Sequence, residues 1–323
     1  MHCPTHLSCF EDSFQVKFKL LVLVVFMLFA SFCDPKKGLK IPEEDGWFGY
    51  EVDAPDRRYE LPSYLEEISG LSYYGDDKIA CVQDEKGNIY VLDLEEGKIT
   101  DKYEFGNDGD YEDIAVVGKN AYVLENNGDI YRVKDFKKKD RKVKKFNTPL
   151  KDKNDTEGLT YDPRANGLLI ACKGSPSIDK EKAFEGSKAI YLFDLQEEEL
   201  DEYPLYLVNL EQLDMLMDRK GFSKFSVRVA KKLGLIESET SFQPSGIAIH
   251  PQSGEVFVIS SVGKLLVILD QAGRIQDVIA LNPVLFRQPE GICFSPEGDL
   301  YISNEGNGGR GYVLKFKFHE RQE

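Results

Sequence analysis

The chain has 323 residues, of which 41% are hydrophobic and 30% are charged, so it can build the core of one large β domain or of two ordinary domains. Its formal net charge of -15 argues against nucleic acid as a partner, because phosphate binding depends on clustered Lys and Arg.

The first 33 residues have the pattern of an export signal. Two lysines precede an uncharged run of 13 residues, "LLVLVVFMLFASF" (20–32). That run is shorter than the about 20 apolar residues of a membrane-spanning helix, but it fits the apolar part of a signal peptide. Two interpretations of this export signal stay open: a bacterial lipoprotein signal with Cys33 as the lipidated residue, or an uncleaved N-terminal membrane anchor. Phe32 departs from the small residue usual before such a cysteine.

Under each interpretation the rest of the chain is exported. We therefore expect a cell-envelope protein, periplasmic or on the cell surface, that is attached to the membrane through its N-terminus. Residues 34–47 would form a linker to the domain that follows.

Five similar segments recur along that domain. Each has Ser or Glu, then Gly or Asp, then an alternating apolar tail. The segments are "EISGLSYY" (67–74), "DYEDIAVV" (110–117), "DTEGLTYD" (155–162), "QPSGIAIH" (243–250) and "QPEGICFS" (288–295). They repeat every 43 to 45 residues except for one interval of 88. Internal periods in the forties are typical of β-propeller blades, which have four strands each.

Counting strands predicts an all-β, five-bladed propeller over residues 48–319. Each repeat contains three or four runs with period-two alternation, separated by turn sequences rich in Gly, Asn, Asp and Pro. The long interval contains one complete blade plus an insert at 209–240, whose apolar residues recur at helical spacing. Six blades are the alternative if that insert hides one. The fifth unit lacks a fourth strand, which "DRRYELP" (56–62) can supply from the other end of the chain.

The repeated Ser or Glu defines one ring in this architecture. The first strand of each blade lines the central channel, so the five equivalent positions should meet at the channel mouth. They are Ser69, Glu112, Glu157, Ser245 and Glu290. A second tier is expected two residues earlier, at Glu67, Asp110, Asp155, Gln243 and Gln288.

Six carboxylates in these two tiers would repel one another unless a cation compensates them. Carboxylate and amide oxygens at flexible geometry suit Ca²⁺ better than Mg²⁺. The sequence thus predicts a calcium site at the channel mouth, formed by Glu112, Glu157 and Glu290 with Asn304 or another second-strand residue. The alternative is that these glutamates cap backbone N–H groups or face water.

The same segments resemble a known family. The phrases "NDTEGLTYD" (154–162), "FQPSGIAIHPQSGEVFVISS" (242–261) and "RQPEGICFSPEGDLYISNEG" (287–306), behind a membrane-targeting leader, are similar to the SdiA-regulated family of bacterial envelope proteins, and more generally to NHL-type propellers. The resemblance covers most of residues 48–318. It implies a five-bladed propeller with a central calcium site and no established reaction. A more distant similarity is to calcium-dependent lactonases and phytase-like esterases.

The sequence favours a binding or scaffolding module over an enzyme. The four histidines lie in the leader, in the tail or, for His250, on the face opposite the acidic mouth, which makes a Ser-His-Asp or Cys-His arrangement implausible. The partner at the mouth would be a small molecule or a protein. A calcium-dependent hydrolase, acting on lactones or phosphoesters with Glu112 or Glu157 as general base, is the alternative.

Overall fold

The structure is a computed structural model that describes residues 49–179, 183–220 and 242–320. The export signal, Cys33 and the linker at 34–47 lie outside the described residues, as does the second half of the insert. Within the described ranges, no helix has the length and apolar character needed to cross a membrane.

Five small antiparallel sheets follow one another along the chain. Blade 1 contains β2 (Ile68–Gly75), β3 (Lys78–Gln83), β4 (Asn88–Asp93) and β5 (Lys98–Glu104). Blade 2 contains β6 (Tyr111–Val117), β7 (Asn120–Glu125), β8 (Ile130–Lys134) and β9 (Lys142–Phe146). Blade 3 contains β10 (Thr156–Asp162), β11 (Gly167–Cys172), β12 (Ser187–Asp194), β13 (Glu199–Leu200) and β14 (Tyr206–Asn209). Blade 4 contains β15 (Gln243–Ile249), β16 (Val256–Val262), β17 (Leu265–Leu269) and β18 (Ile275–Ala280).

Blade 5 combines the two ends of the domain. Its strands β19 (Pro289–Phe294), β20 (Leu300–Asn304) and β21 (Tyr312–Phe316) are completed by β1 (Arg57–Glu60), which pairs antiparallel with β21. The innermost strands β2, β6, β10, β15 and β19 contact one another in sequence, and β19 contacts β2, so the ring is closed. The prediction of five blades, with the missing strand supplied by the N-terminal segment, is confirmed.

The apolar core lies between neighbouring blades. β4, β11 and β17 are largely buried along their whole length, because sheets pack on both of their faces. One cluster joins Ile89 of blade 1 to Ile114 of blade 2, and another joins Ile268 of blade 4 to Ile302 of blade 5. Each such interface removes apolar surface from water, and this burial stabilises the fold by about 25 cal/mol per Å². The ring is therefore stabilised by packing between neighbouring blades.

The glycine of the repeat is explained by the close approach of the innermost strands. A Cβ on Gly70 would lie 2.3 Å from the Cα of Asp113, and one on Gly246 would lie 2.3 Å from the carbonyl oxygen of Glu290. A Cβ on Gly291 would lie 2.5 Å from the carbonyl oxygen of Ser69, whereas Gly158 is less confined, with its nearest neighbours at 3.0 to 3.1 Å. A side chain at Gly70, Gly246 or Gly291 would therefore collide with the backbone of the next blade.

Asp113 replaces glycine in blade 2 and uses its carboxylate to join three blades. The side chain is fully buried, and it accepts hydrogen bonds from the backbone N–H groups of Ile114, Leu159 and Leu71. Burial raises the pKa of this carboxyl group well above its usual range, although the three donors oppose that shift.

Two elements depart from the regular blade. The outer edge of blade 3 is formed by two short strands, β13 and then β14, which begins at Tyr206. Pro204 lies in the gap between the two, consistent with the lack of a backbone N–H donor there. The described part of the insert is a helix, α1 (Leu210–Arg219), capped by the Asn209 side chain, which accepts from the N–H of Gln212.

Helix α1 packs against the outer side of blade 4. Leu213, Leu216 and Met217 are buried, and the helix contacts β18 and β14. Just beyond it, Lys220 donates to the carboxylate of Asp277. The predicted helix in the insert is therefore confirmed for its first part.

Candidate functional site

The five ring residues meet in one central cavity. Ser69, Glu112, Glu157, Ser245 and Glu290 all line a cavity of about 640 Å³. Of the second tier, Asp110, Gln243 and Gln288 also line it. The convergence predicted from the repeat is therefore present in the structure.

A β-bulge positions each ring residue. The pairing between the first and second strands shifts register at the ring residue in every blade, between Tyr111 and Asp113 in blade 2 and between Thr156 and Gly158 in blade 3, for example. The equivalent shifts in the other blades span Ser69, Ser245 and Glu290. A bulge leaves one residue unpaired and re-aims its side chain, which explains how five strands present this position to the same space.

The cavity has an excess of acidic groups. It is lined by seven carboxyl groups and three basic side chains: Asp53, Asp84, Asp110, Glu112, Glu157, Glu290 and Glu305, with Lys173, Lys264 and Arg287. The three basic residues lie just outside the strands. Lys173 directly follows β11, Lys264 lies in the turn between β16 and β17, and Arg287 lies in the loop before β19.

Lys173 neutralises one of the glutamates. Its Nζ lies 2.7 Å from Oε1 of Glu157 and 3.8 Å from the carboxylate of Asp155. The pairing follows from local register, since Thr156 lies opposite Cys172 on the neighbouring strand. Burial raises the pKa of Glu157, and Lys173 opposes that shift.

Four other carboxyl groups of the cavity also have raised pKa values: Glu112, Glu290, Glu305 and Asp84. Glu112 is hydrogen-bonded to Asp110, and burial together with the charges of Glu157 and Asp110 raises its pKa. Burial, then the charge of Glu157, raises the pKa of Glu290 to about 8, although Ser261 donates to it. Burial and neighbouring carboxylates raise the pKa of Glu305 to about 7 and that of Asp84 to about 6.

Asn304 occupies a different place from the other three predicted ligands. It lies at the end of β20 opposite Pro289, is completely buried, and does not line the cavity. Among the described residues its Oδ1 has no hydrogen-bond partner. The next residue, Glu305, lines the cavity instead. Consecutive side chains of an extended segment point to opposite sides, so only one of these two residues can face the cavity.

The oxygen donors suit a hard cation, but they are not gathered around one point in this arrangement. Among the described residues, no three Asp, Glu, His or Cys side chains stand close enough together to hold a metal ion. Glu112, Glu157 and Glu290 share the cavity, and the charges of Glu112 and Glu290 are each coupled to that of Glu157. Binding a metal would require their side chains to turn toward one another and Glu157 to leave Lys173.

One wall of the cavity is apolar. Val262, Ala280, Leu281 and Pro283 come from blade 4 and the segment that follows it. Asn282 and Asn307 add amide groups. A concave site that combines an apolar wall with a few polar groups is the usual form of a small-molecule site.

Serine hydroxyl groups join neighbouring blades beside the cavity. Ser245 donates through Oγ to the carbonyl of Pro289 at 2.8 Å, and Ser303 of β20 donates to the backbone carbonyl of Ser69 at 2.7 Å. The ring residue Ser245 thus helps to hold two blades together, whereas the ring glutamates supply negative charge to the cavity.

His250 lies away from this site, as the sequence predicts. It directly follows β15, whose first residues line the cavity, and so stands at the opposite end of that strand. It is buried among the rings of Tyr50, Phe257, Phe294 and Phe318. Burial lowers its pKa to about 4.

Several solved structures are similar to this chain at low identity. Glutaminyl cyclase from Myxococcus xanthus has a TM-score of 0.51 and 13% identity, covering 83% of this chain and 97% of that chain. A streptogramin B lyase has a TM-score of 0.46 and 12% identity, covering 81% and 97%. Virginiamycin B lyase from Staphylococcus aureus has a TM-score of 0.41 and 16% identity, covering 81% and 73%. The similarity to the glutaminyl cyclase shows a shared fold and nothing about function.

No protein with a curated description matches the sequence. The sequence profile of the SdiA-regulated family matches residues 49–309. This range contains the strands β1 to β20 and all five ring residues, and it ends just before β21. This propeller, with its bulged glutamate and serine ring, belongs to the SdiA-regulated family.

Proposed function

We propose that this protein is a membrane-anchored propeller of the cell envelope that binds a calcium ion in the central cavity and uses that end of the channel to hold a ligand. The observation that carries the proposal is the convergence of seven carboxyl groups with three basic side chains in one cavity. Envelope location and membrane attachment rest on the apolar run at 20–32 and on Cys33.

Glu112, Glu157 and Glu290 are the proposed calcium ligands. They occupy equivalent bulged positions on three innermost strands, so they enter the cavity from three directions. Oxygen ligands of this kind suit Ca²⁺, which accepts six to eight of them at flexible geometry. Asn304 would join them only after its buried amide turns toward the cavity, and Glu305 is already placed there.

The raised pKa values of Glu112 and Glu290 support the proposal that a bound cation balances the charge of these carboxyl groups. Mutual repulsion of buried carboxylates is part of the reason why Glu112 and Glu290 resist ionisation. A divalent cation would remove that repulsion. The ion would thus stabilise the folded ring and offer an electrophilic point for a ligand that also contacts the apolar wall.

Calorimetric titration of the full-length protein in detergent, after removal of metal with EDTA, tests this proposal. We expect saturable binding of Ca²⁺ and a higher melting temperature in its presence. Glu112→Gln should weaken binding at least tenfold, about 1.4 kcal/mol, whereas Glu297→Gln, in an exposed turn between β19 and β20, should not change it. Wild-type protein that gives neither heat nor a thermal shift would refute the calcium site.

A hydrolase is the second candidate, and the pKa values near neutrality favour it. Glu305 and Glu290 have pKa values of about 7 and 8, in the range that suits general acid and base catalysis. Lactones and phosphomonoesters, assayed with and without Ca²⁺, separate the two candidates. Turnover that Glu157→Gln abolishes without unfolding the protein would establish the enzyme, and absence of turnover would leave the binding role.

A further inference from the structure

A second concave surface lies on blade 1, outside the central cavity. This blade 1 groove has a volume of about 550 Å³. It lies between the 3-10 turn at Ser63–Leu65 and the edge formed by β4 and β5. Its lining residues are Ser63, Tyr64, Glu66, Glu67, Gln83, Glu85, Lys86, Asn88, Tyr90 and Lys102.

Two tyrosines form a flat aromatic surface in the groove. The rings of Tyr64 and Tyr90 are stacked, with centroids 5.6 Å apart and an interplanar angle of 27°. Tyr90 is 3% exposed, whereas Tyr64 is 53% exposed. Stacking on the buried Tyr90 already restricts the rotation of the Tyr64 side chain. Binding of a ligand to the exposed face of Tyr64 therefore costs little further side-chain entropy.

A buried amide oxygen lies in the same groove. Asn88 is 7% exposed and its side chain hydrogen-bonds to Tyr90, but within the described ranges its Oδ1 has no hydrogen-bond donor. Most buried polar atoms in folded proteins are paired. Because the terminal torsion of Asn is broad, a modest rotation turns this acceptor toward a ligand hydroxyl.

The charges of the groove are nearly balanced, unlike those of the central cavity. Three carboxyl groups, of Glu66, Glu67 and Glu85, line the groove together with two amines, of Lys86 and Lys102. The Nζ of Lys86 also donates to Asp108 at 2.6 Å. The Nζ of Lys102 already lies 5.8 Å from the ring centroid of Tyr90, so the protein supplies its own cation to that ring. These features favour a neutral, polyhydroxylated ligand over a cationic or anionic one.

We propose that the blade 1 groove binds a saccharide. The apolar C–H face of a sugar ring would pack on Tyr64, its hydroxyl groups would donate to the glutamates and to Asn88, and Lys86 would donate to its oxygens. The site is separate from the calcium site and does not require metal. It extends the proposed function by giving the propeller a second ligand of defined chemistry.

Titration of the full-length protein with cellohexaose, chitohexaose, maltohexaose and xylohexaose tests this proposal, with ligand-observed NMR as the readout. We expect at least one of these to bind with a Kd below 1 mM, in EDTA as well as in Ca²⁺ (Kd of 1 mM is about -4.1 kcal/mol). Tyr64→Ala should weaken binding at least tenfold, and Tyr64→Phe should retain it.

Tyr203→Ala is the matched control, because Tyr203 is 66% exposed and lies outside the groove. It should bind as the wild type does. The proposal is overturned if none of the four saccharides binds, or if Tyr64→Ala binds as tightly as the wild type. Neither result bears on calcium binding, which the separate titration measures.

Discussion

The Nζ of Lys173 lies 2.7 Å from Oε1 of Glu157, inside a cavity that otherwise has an excess of carboxyl groups. Lys173 occupies the position of counter-ion to a residue that we propose as a calcium ligand. The ammonium group of Lys173 must therefore move away from Glu157 when a metal binds there.

Replacing Lys173 should strengthen calcium binding. In Lys173→Met the metal no longer competes with the ammonium group for Glu157, so we expect the affinity for Ca²⁺ to rise by about tenfold, 1.4 kcal/mol. The metal-free domain should melt at a lower temperature, because a largely buried carboxylate loses its partner. Lys144→Met, which removes one of the two cationic partners of Glu198 outside the cavity, serves as control. Weaker calcium binding in Lys173→Met would show that Lys173 assists the metal instead.

Gly70→Ala should prevent normal closure of the ring. The added Cβ would lie 1.9 Å from Oδ1 and 2.3 Å from Cα of Asp113, and neither blade can withdraw without losing contact with its other neighbour. Overpacking of this kind costs roughly 3 kcal/mol, which should be visible as a lower denaturant midpoint. Gly309→Ala, in an exposed turn where the nearest atom is 3.3 Å away, should change the midpoint little. Equal effects of the two substitutions would argue against close packing at the ring.

His250 should make the domain sensitive to mild acid. Burial lowers its pKa from 6.5 to about 4 in the folded state, so between these values the unfolded chain binds the proton and the folded chain does not. Stability is fully present above pH 6.5 and is lost as the pH falls toward 4, by on the order of 2 kcal/mol. His250→Phe, which preserves a ring among Tyr50, Phe257, Phe294 and Phe318, should remove this contribution.

The measurement is the free energy of unfolding of both proteins from pH 4 to pH 8. The difference between them isolates His250 from the cavity carboxyl groups, whose raised pKa values act in the opposite direction because they take up protons on folding. Glu255, which accepts from Ser253 beside His250, is the nearest acidic group to consider. Parallel pH profiles for wild type and variant would contradict this account.

Much of the propeller follows from sequence because its repeat has visible physical causes. The period in the forties, the alternating apolar tails and the glycine after each ring residue all repeat with the blades. The closing strand was also predictable, since the last unit lacks an edge strand and the segment before the first repeat has the pattern of one. The convergence of the five ring residues follows from that topology.

The finer geometry of the site depends on register, which the sequence does not display. Glu305, rather than Asn304, lines the cavity, because consecutive side chains point to opposite sides and Asn304 is the buried one of the two. The pairing of Lys173 with Glu157 depends on Thr156 lying opposite Cys172. The apolar wall at Leu281 and Pro283 lies beyond the repeat altogether. The sequence also marks Asp113, because it replaces the glycine that follows the ring residue in the other four repeats. A carboxylate at such a close-packed position needs hydrogen-bond donors, which the backbone N–H groups of Ile114 and Leu159 supply.

The most direct test of the calcium site is a crystal structure of the protein grown with Ca²⁺, measured at a wavelength where calcium scatters anomalously. We expect one anomalous peak in the central cavity, 2.3 to 2.6 Å from oxygens of Glu112, Glu157 and Glu290, with Nζ of Lys173 displaced from Glu157. A cavity without such a peak, in which Lys173 still lies against Glu157, would contradict the account.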